Sequence, residues 1–285
     1  MTRGADPPGS INDSLARRTS RPTDTTAHEY IEIDAASTRG EAVLAQECAL
    51  ALSYDGVAQA VMMVSPSDLD DFALGFSLSN GLVESANDIY AVDISGAGVD
   101  RHAAIHISNR AFSALKQQRR SLAGTSGCGL CGVELMAQAL PELKPMIRRA
   151  LPQASHFNQL RERISRFQAL ARASGAMHAA LYVDAQGDII LCREDIGRHN
   201  ALDKLIGALH GQQIDFQLGF AVVTSRCSLE LIQKAIRVGL ATLVSLSAPT
   251  TLSVEWASRY GLNLIHLPHD ATPRIYTPLP ARDSA

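Results

Sequence analysis

The sequence predicts an α/β fold whose second half is a largely parallel mixed sheet, preceded by a smaller α+β region. Three observations carry this reading. From His178 onward, short apolar runs of strand length alternate with stretches of helical periodicity, the pattern of βαβ units. In the first half, apolar strands are separated by a turn at Tyr54-Asp55-Gly56. With 46% hydrophobic and 19% charged residues, the 285-residue chain has the composition and length to bury a large core.

Taken in order, "EAVLAQECALALSYDGVAQAVMMVSP" reads as strands around that turn. "SPSDLDDFALGFSLSNGLVE" then reads as a helix with Ser67 as N-cap and Asp70 three residues on. Leu69, Phe72, Phe76 and Leu78 form its apolar stripe, and Gly81 is its stop. "AAIHIS" is a strand before a basic helix ending near Arg120. Helical patterns follow near 132–150 and 157–173. "HAALYVD" and "DIILC" are strands joined at Gly187. "NALDKLIGALH" is a helix capped by Asn200, with Asp203 at its third position and Leu202, Leu205, Ile206 and Leu209 on one face. Strands "LGFAVVT", "ATLVSLS" and "LNLIHL" then alternate with helices "SLELIQKAIRVGL" and "TTLSVEWASRYG".

The expected organisation is a disordered tail over 1–27, an α+β region over 28–120, a mobile glycine-rich loop over 121–135 and an α/β core over 136–285. The tail is polar and rich in Pro, Thr and Arg, without periodicity. No apolar segment follows Arg17 and Arg18, so a secretory signal is not expected. No apolar run approaches the length of roughly 18 residues that a membrane span requires. A net charge of -3 gives no general attraction to polyanions, so a nucleic-acid partner is not expected. Five cysteines with a single close pair do not form a disulfide framework, which points to the cytoplasm.

In a parallel sheet the functional crevice lies beyond the carboxyl ends of the strands. Four polar segments fall there: 192–200 ("CREDIGRHN"), 224–228 ("TSRCS"), 247–250 ("SAPT") and 266–272 ("HLPHDAT"). The most reactive stretch is "GTSGCGLCGVE", which holds Cys128 and Cys131 at CxxC spacing. Zinc would need two further ligands, and the chain offers no second CxxC pair. A thioredoxin-type pair would follow the first strand of a βαβ unit, whereas this one follows a basic helix. The third reading is a nucleophile: near a helix amino end the thiolate is favoured, and glycines let it carry sulfur between two places.

"TSGCGLCG", "SGAMHAALYV", "REDIGRHNALDKLIG", "SRCSLELIQKA" and "SAPTTLSVEWA", in that order, resemble the formate dehydrogenase accessory sulfurtransferases, the FdhD family. The resemblance runs from about Val64 to Tyr276. It implies a cytoplasmic, homodimeric sulfur carrier with a cytidine-deaminase-like core that lacks the zinc site and holds no metal of its own. Such a protein takes sulfur from a cysteine desulfurase. It passes the sulfur to the Mo-bis(molybdopterin guanine dinucleotide) cofactor (bis-MGD), its bound substrate, before insertion into formate dehydrogenase. Cys128 matches the persulfide position and Cys131 the second family cysteine.

The phosphates of such a substrate call for backbone amides and fixed guanidinium groups. Arg226 stands between a strand and a helix start, although Glu230 could neutralise it. Ser247 and Thr250 flank Pro249 at another helix start, where capping is an equal explanation. Arg198 and His199 are ligand candidates. So is Lys204 one turn on, for which a salt bridge is the plainer reading. Cys48, Cys192 and Cys227 read as small buried residues, and His178 as a core histidine. The stretch Leu267, Pro268, His269, Asp270, Ala271 and Thr272 stands where the family has an arginine-containing cofactor loop. Here His269 replaces the arginine, and a neutral imidazole holds phosphate less strongly, which bears on cofactor affinity and on the client enzyme. Two other functions suit the same residues: a zinc-stabilised nucleotide-binding or regulatory module, and a molybdenum-cofactor chaperone that moves no sulfur.

Overall fold

The computed structural model describes residues 25–33, 37–123 and 139–277. An antiparallel ribbon, β1 (Thr25–Ile31) and β2 (Arg39–Ala45), comes first. A four-stranded sheet follows, made from β3 (Cys48–Tyr54), β4 (Val57–Val64), β5 (Ile89–Ala97) and β6 (Asp100–Ile107) in the order β4-β3-β6-β5. The β3–β4 hairpin turns at Asp55 and Gly56, both at positive φ (43° and 79°), the backbone that a two-residue hairpin with the right twist requires.

The second sheet holds β7 (His178–Val183), β8 (Ile189–Asp195), β9 (Phe220–Val223), β10 (Thr242–Ser245), β11 (Asn263–His266) and β12 (Arg274–Thr277), in the order β12-β11-β10-β9-β7-β8. It is mixed, as expected, with its parallel part confined to the middle: β9, β10 and β11 are parallel neighbours, while β7–β8, β7–β9 and β11–β12 are antiparallel. The short turn at Gly187 imposes the first of these, since a tight hairpin can join only antiparallel strands.

Helices α1 (Leu69–Ser79), α5 (Arg198–Gly211), α6 (Leu229–Arg237) and α7 (Thr251–Tyr260) share the larger apolar cluster with one face of this sheet and with the four-stranded sheet. Helix α2 (Asn109–Ala123) joins the same cluster through Ala111 and Leu115. The other face packs on Leu160 and Ile164 of α3 (Leu160–Phe167), which Gln168 separates from α4 (Ala169–Ser174). The helical pattern near 157–173 is therefore two helices. The pattern near 132–150 is corrected where it is described: 141–153 is irregular chain, broken by Pro141, Pro145 and Pro152, each lacking the N–H a helix needs. That chain is pinned on α7, with Met146 N–H bonded to the Tyr260 carbonyl at 2.9 Å. Helix α1 starts one residue later than expected, with Asp68 at the N-cap instead of Ser67.

The two sheets share a core because α1 and α5 cross with their backbones in contact. A Cβ on Gly75 would lie 1.8 Å from the Asp203 carbonyl oxygen, and one on Gly207 would lie 1.9 Å from that of Asp71. No side chain fits at either point. Gly75→Ala is therefore expected to destabilise the protein by about 3 kcal/mol or more, read as a drop in the urea midpoint. An unchanged midpoint would mean the helices do not touch there.

Candidate functional site

Strands β8, β9, β10 and β11 all run the same way, because β7 is antiparallel to both of its neighbours. Segments 196–200, 224–228, 246–250 and 267–272 therefore leave the sheet at one edge, joined by His178 at the start of β7. The topology brings together the four segments that the sequence singled out.

Much of the charged motif at this edge holds the fold together. Arg193 Nε donates to Asp71 at 2.8 Å. The Glu194 carboxylate accepts the amides of Leu170 (2.9 Å) and Ala171 (2.8 Å) at the start of α4. Asp195 accepts from Ser65 N, Gly197 N and Asn200 Nδ2. Its other bond, 2.7 Å to Lys204 Nζ, corrects the expectation for that lysine. Lys204 is fully enclosed, also donates to the Ser65 carbonyl at 3.0 Å, and cannot reach a ligand at the edge. Asn200 does not cap α5, whose N-cap is Gly197; it lies inside the helix, donating to Asp195 and to the Met63 carbonyl. Asp203 is likewise internal, paired with Lys234 at 2.8 Å and with Ser79 Oγ at 2.6 Å.

Arg198 and His199 remain open at the edge, both half-buried. Arg198 Nε is enclosed without a hydrogen-bond partner among the described residues. His199 Nε2 lies 3.4 Å from Ser228 Oγ and 3.5 Å from Glu230. Burial, then the Arg198 charge, hold the His199 imidazole below its ordinary value of 6.5, so it is neutral near pH 7. Burial and Arg198 push His178 down in the same sense. Arg226 is exposed and, among the described residues, makes no ion pair; Glu230 faces His199 instead.

The remaining candidates divide. Thr250 caps α7, its Oγ1 accepting from Ser253 N at 3.2 Å. Ser247 is half-buried, and its carbonyl accepts from Ser245 Oγ at 2.7 Å. Leu267 is corrected as a ligand contact: its side chain belongs to the smaller core. Pro268 is half-buried, whereas His269, Asp270, Ala271 and Thr272 are exposed, with His269 Nδ1 2.7 Å from Asp270. Cys48, Cys192 and Cys227 are buried, as packing residues should be, and burial pushes the Cys227 thiol up to about 12.

Cys128 and Cys131 lie outside the described residues. The described chain resumes at Ala139, whose carbonyl accepts from Gln233 Nε2 at 2.8 Å. Gln233 lines a cavity of about 290 Å³ together with His199, Glu230 and Arg237. Among the described residues, no three or more His, Cys, Asp or Glu stand together as a metal would need. No described helix is long and apolar enough to cross a membrane.

Sequence reasoning missed two groups at this edge. Arg161 on α3 donates to the carbonyls of Leu246 (2.6 Å), Leu267 (2.6 Å) and Pro268 (3.0 Å). His266, 8% exposed at the end of β11, keeps Nδ1 enclosed without a partner among the described residues. Arg161 sits in "LRERISRF", which reads as an ordinary charged helix, and no local signal marks it.

The FdhD/NarQ family model matches residues 45–282. The sulfur carrier protein FdhD of Burkholderia mallei is 42% identical over 248 residues, spanning 84% of this chain and 89% of that protein. The protein of the same description from Bordetella petrii is 40% identical over 243 residues, spanning 85% of this chain and 87% of its own. A solved structure from Desulfotalea psychrophila, described as a formate dehydrogenase accessory protein, superposes with a TM-score of 0.67 at 19% identity. It covers 88% of this chain and 96% of its own.

Two expectations follow. Lys204→Met should cost about 3–5 kcal/mol of stability by stranding the Asp195 charge, whereas Arg226→Gln should stay within about 0.5 kcal/mol; equal effects would contradict the division into scaffold and edge. Because the folded protein holds His178 and His199 below the ordinary 6.5, the unfolded chain binds more protons as pH falls below that value. Their contribution to stability is complete above about pH 6.5 and is lost as pH drops through the depressed values, so the chemical-denaturation midpoint should fall there. His199→Gln should flatten that slope, and an unaltered profile would contradict the assignment.

Proposed function

Since the chain belongs to the FdhD/NarQ family, we propose that it is a sulfurtransferase that carries sulfur for formate dehydrogenase. It takes the sulfur from a cysteine desulfurase onto Cys128 and delivers it to bis-MGD, working as a homodimer in the cytoplasm. The observation that carries the reading is the gathering of four polar segments at one sheet edge, where Arg226 is exposed, Arg198 and His199 are half-buried, and neither arginine pairs with a carboxylate among the described residues. An edge of that kind suits a long, phosphate-bearing substrate, which needs fixed cations and backbone groups supplied by several loops.

The chemistry asked of the CxxC pair is balanced. The Cys128 thiolate attacks the outer sulfur of the desulfurase persulfide. The new S–S bond forms as the old one breaks, and the desulfurase leaves as thiolate, with no net oxidation. For release, the Cys131 thiolate attacks Cys128 Sγ. The pair becomes a disulfide, the terminal sulfur departs at the sulfide level with the electron pair, and a cellular dithiol then reduces the pair. A neutral His199 beside Glu230 is suited to accept a proton, and it lines one cavity with Gln233, which holds the Ala139 carbonyl.

Incubation with a purified cysteine desulfurase and cysteine should add sulfur to Cys128, seen as about 32 mass units on its peptide (one sulfur atom) and absent in Cys128→Ala. An unmodified Cys128 would overturn the carrier reading. Stoichiometric zinc lost on Cys131→Ala would favour a zinc-stabilised module instead. Full restoration of formate dehydrogenase activity in a carrier-deficient strain by Cys128→Ala would favour a cofactor chaperone.

A further inference from the structure

We infer that Arg161, on the helix packed against the opposite face of the sheet from α5, α6 and α7, supplies the phosphate-binding guanidinium that the 267–272 loop lacks. The inference rests on the proposed binding of a guanine-dinucleotide substrate at the strand-end edge.

Arg161 reaches that edge from below. Nη2 donates to the carbonyls of Leu246 and Leu267, both at 2.6 Å, and Nε donates to that of Pro268 at 3.0 Å. It therefore ties together the loops that leave β10 and β11, on which Ser247, Thr250 and residues 268–272 lie. A guanidinium carries five N–H groups, and these bonds use three. The two on Nη1 have no partner among the described residues and are not enclosed, so they remain available to an oxygen at the loop surface.

The charge is also uncompensated. Among the described residues no carboxylate lies within ion-pair distance of Arg161, and the acid it senses, Asp270, is exposed and bound to His269 at 2.7 Å. Carbonyls orient a cation without neutralising it. A half-buried guanidinium held this way keeps its full attraction for an anion, in surroundings less screened than bulk water.

A second observation points to the same place. His266 ends β11 with Nδ1 enclosed and, among the described residues, without a partner, and Arg274 stands opposite it in the β11–β12 ladder. Both arginines act electrostatically on that imidazole. The floor of the loop is thus cationic while the loop itself carries His269 and Asp270. The arginine expected within 267–272 is absent there, and one enters from α3.

The test is titration of the full-length protein with GDP, and separately with inorganic pyrophosphate, by calorimetry. Wild type is compared with Arg161→Gln, Arg161→Lys and Arg163→Gln. Arg163 lies on the same helix but donates to the carbonyls of His156 and Gly187, away from the edge, so its variant reports general loosening of α3. Arg161→Gln should weaken GDP about tenfold or more, and pyrophosphate in proportion, while Arg163→Gln binds as wild type. Affinity within twofold of wild type in folded Arg161→Gln would overturn the inference, as would equal losses in both variants. If Arg161→Gln does not fold, Arg161→Lys decides: a lysine cannot hold two loops and reach an anion at once, so it should bind more weakly. Wild-type affinity there would overturn the inference. A wild-type protein that binds neither probe would instead defeat the proposed substrate reading, and this inference with it.

Discussion

The contact on which the structure depends is the backbone-to-backbone crossing of α1 and α5 at Gly75 and Gly207. A separation that small excludes side chains, so the helices are fixed in register and the two sheets close over one apolar cluster. Around the crossing stand two enclosed ion pairs, Lys204–Asp195 at 2.7 Å and Lys234–Asp203 at 2.8 Å. Burying such charges is costly unless every partner is present. Asp195 meets that condition with three further donors, and Lys234 with Ser79 Oγ. The pairs are therefore less a source of net stability than a condition on arrangement: the crossing must be right for either lysine to find its carboxylate.

That constraint assigns work within the run from Arg193 to Lys204. Arg193, Glu194, Asp195, Asn200, Asp203 and Lys204 are each held by a neighbouring element. Arg198 and His199 stand at the point where the chain emerges at the sheet edge; among the described residues Arg198 Nε has no partner, and His199 has only the longer contacts to Ser228 and Glu230. Positions on a braced strand end are suited to meeting a ligand, because the loop does not have to order itself on binding. The same logic extends across the edge, where Arg161 holds two loops by their carbonyls and Thr250 caps α7.

Much of this was legible in the sequence. The alternation after His178 carries the order of strands and helices as far as β11, and with it the edge where the four polar segments meet; the short edge strand β12 has no such signal. The Tyr54-Asp55-Gly56 turn and the packing roles of Cys48, Cys192 and Cys227 were also legible, because turn chemistry and small apolar side chains act locally. What could not be read depends on partners distant in the chain. The salt bridge of Lys204 is readable as the plainer alternative to a ligand contact, but its full enclosure is not, because the oxygens around it come from Ser65, Glu194 and Asp195, which the fold alone brings together. Arg161 escaped notice since its partners lie 85 to 107 residues away. The chain after Leu140 has apolar residues at helical spacing, but Pro141, Pro145 and Pro152 override that spacing and leave it irregular. The antiparallel pairings at both sides of the sheet exceed what 'largely parallel' implies, because β7 and β12 add antiparallel neighbours to the β9–β10–β11 pattern.

The proposed function requires that ligand recognition belong to the strand-end loops of the six-stranded sheet. Hydrogen–deuterium exchange of the full-length protein with and without GDP tests it most directly. Slowed exchange in peptides covering 196–200, 224–228, 246–250 and 267–272, with the rest of the fold unchanged, is the predicted result. Protection confined to the cavity between Leu78, Leu209 and Ile236, away from those loops, would contradict it.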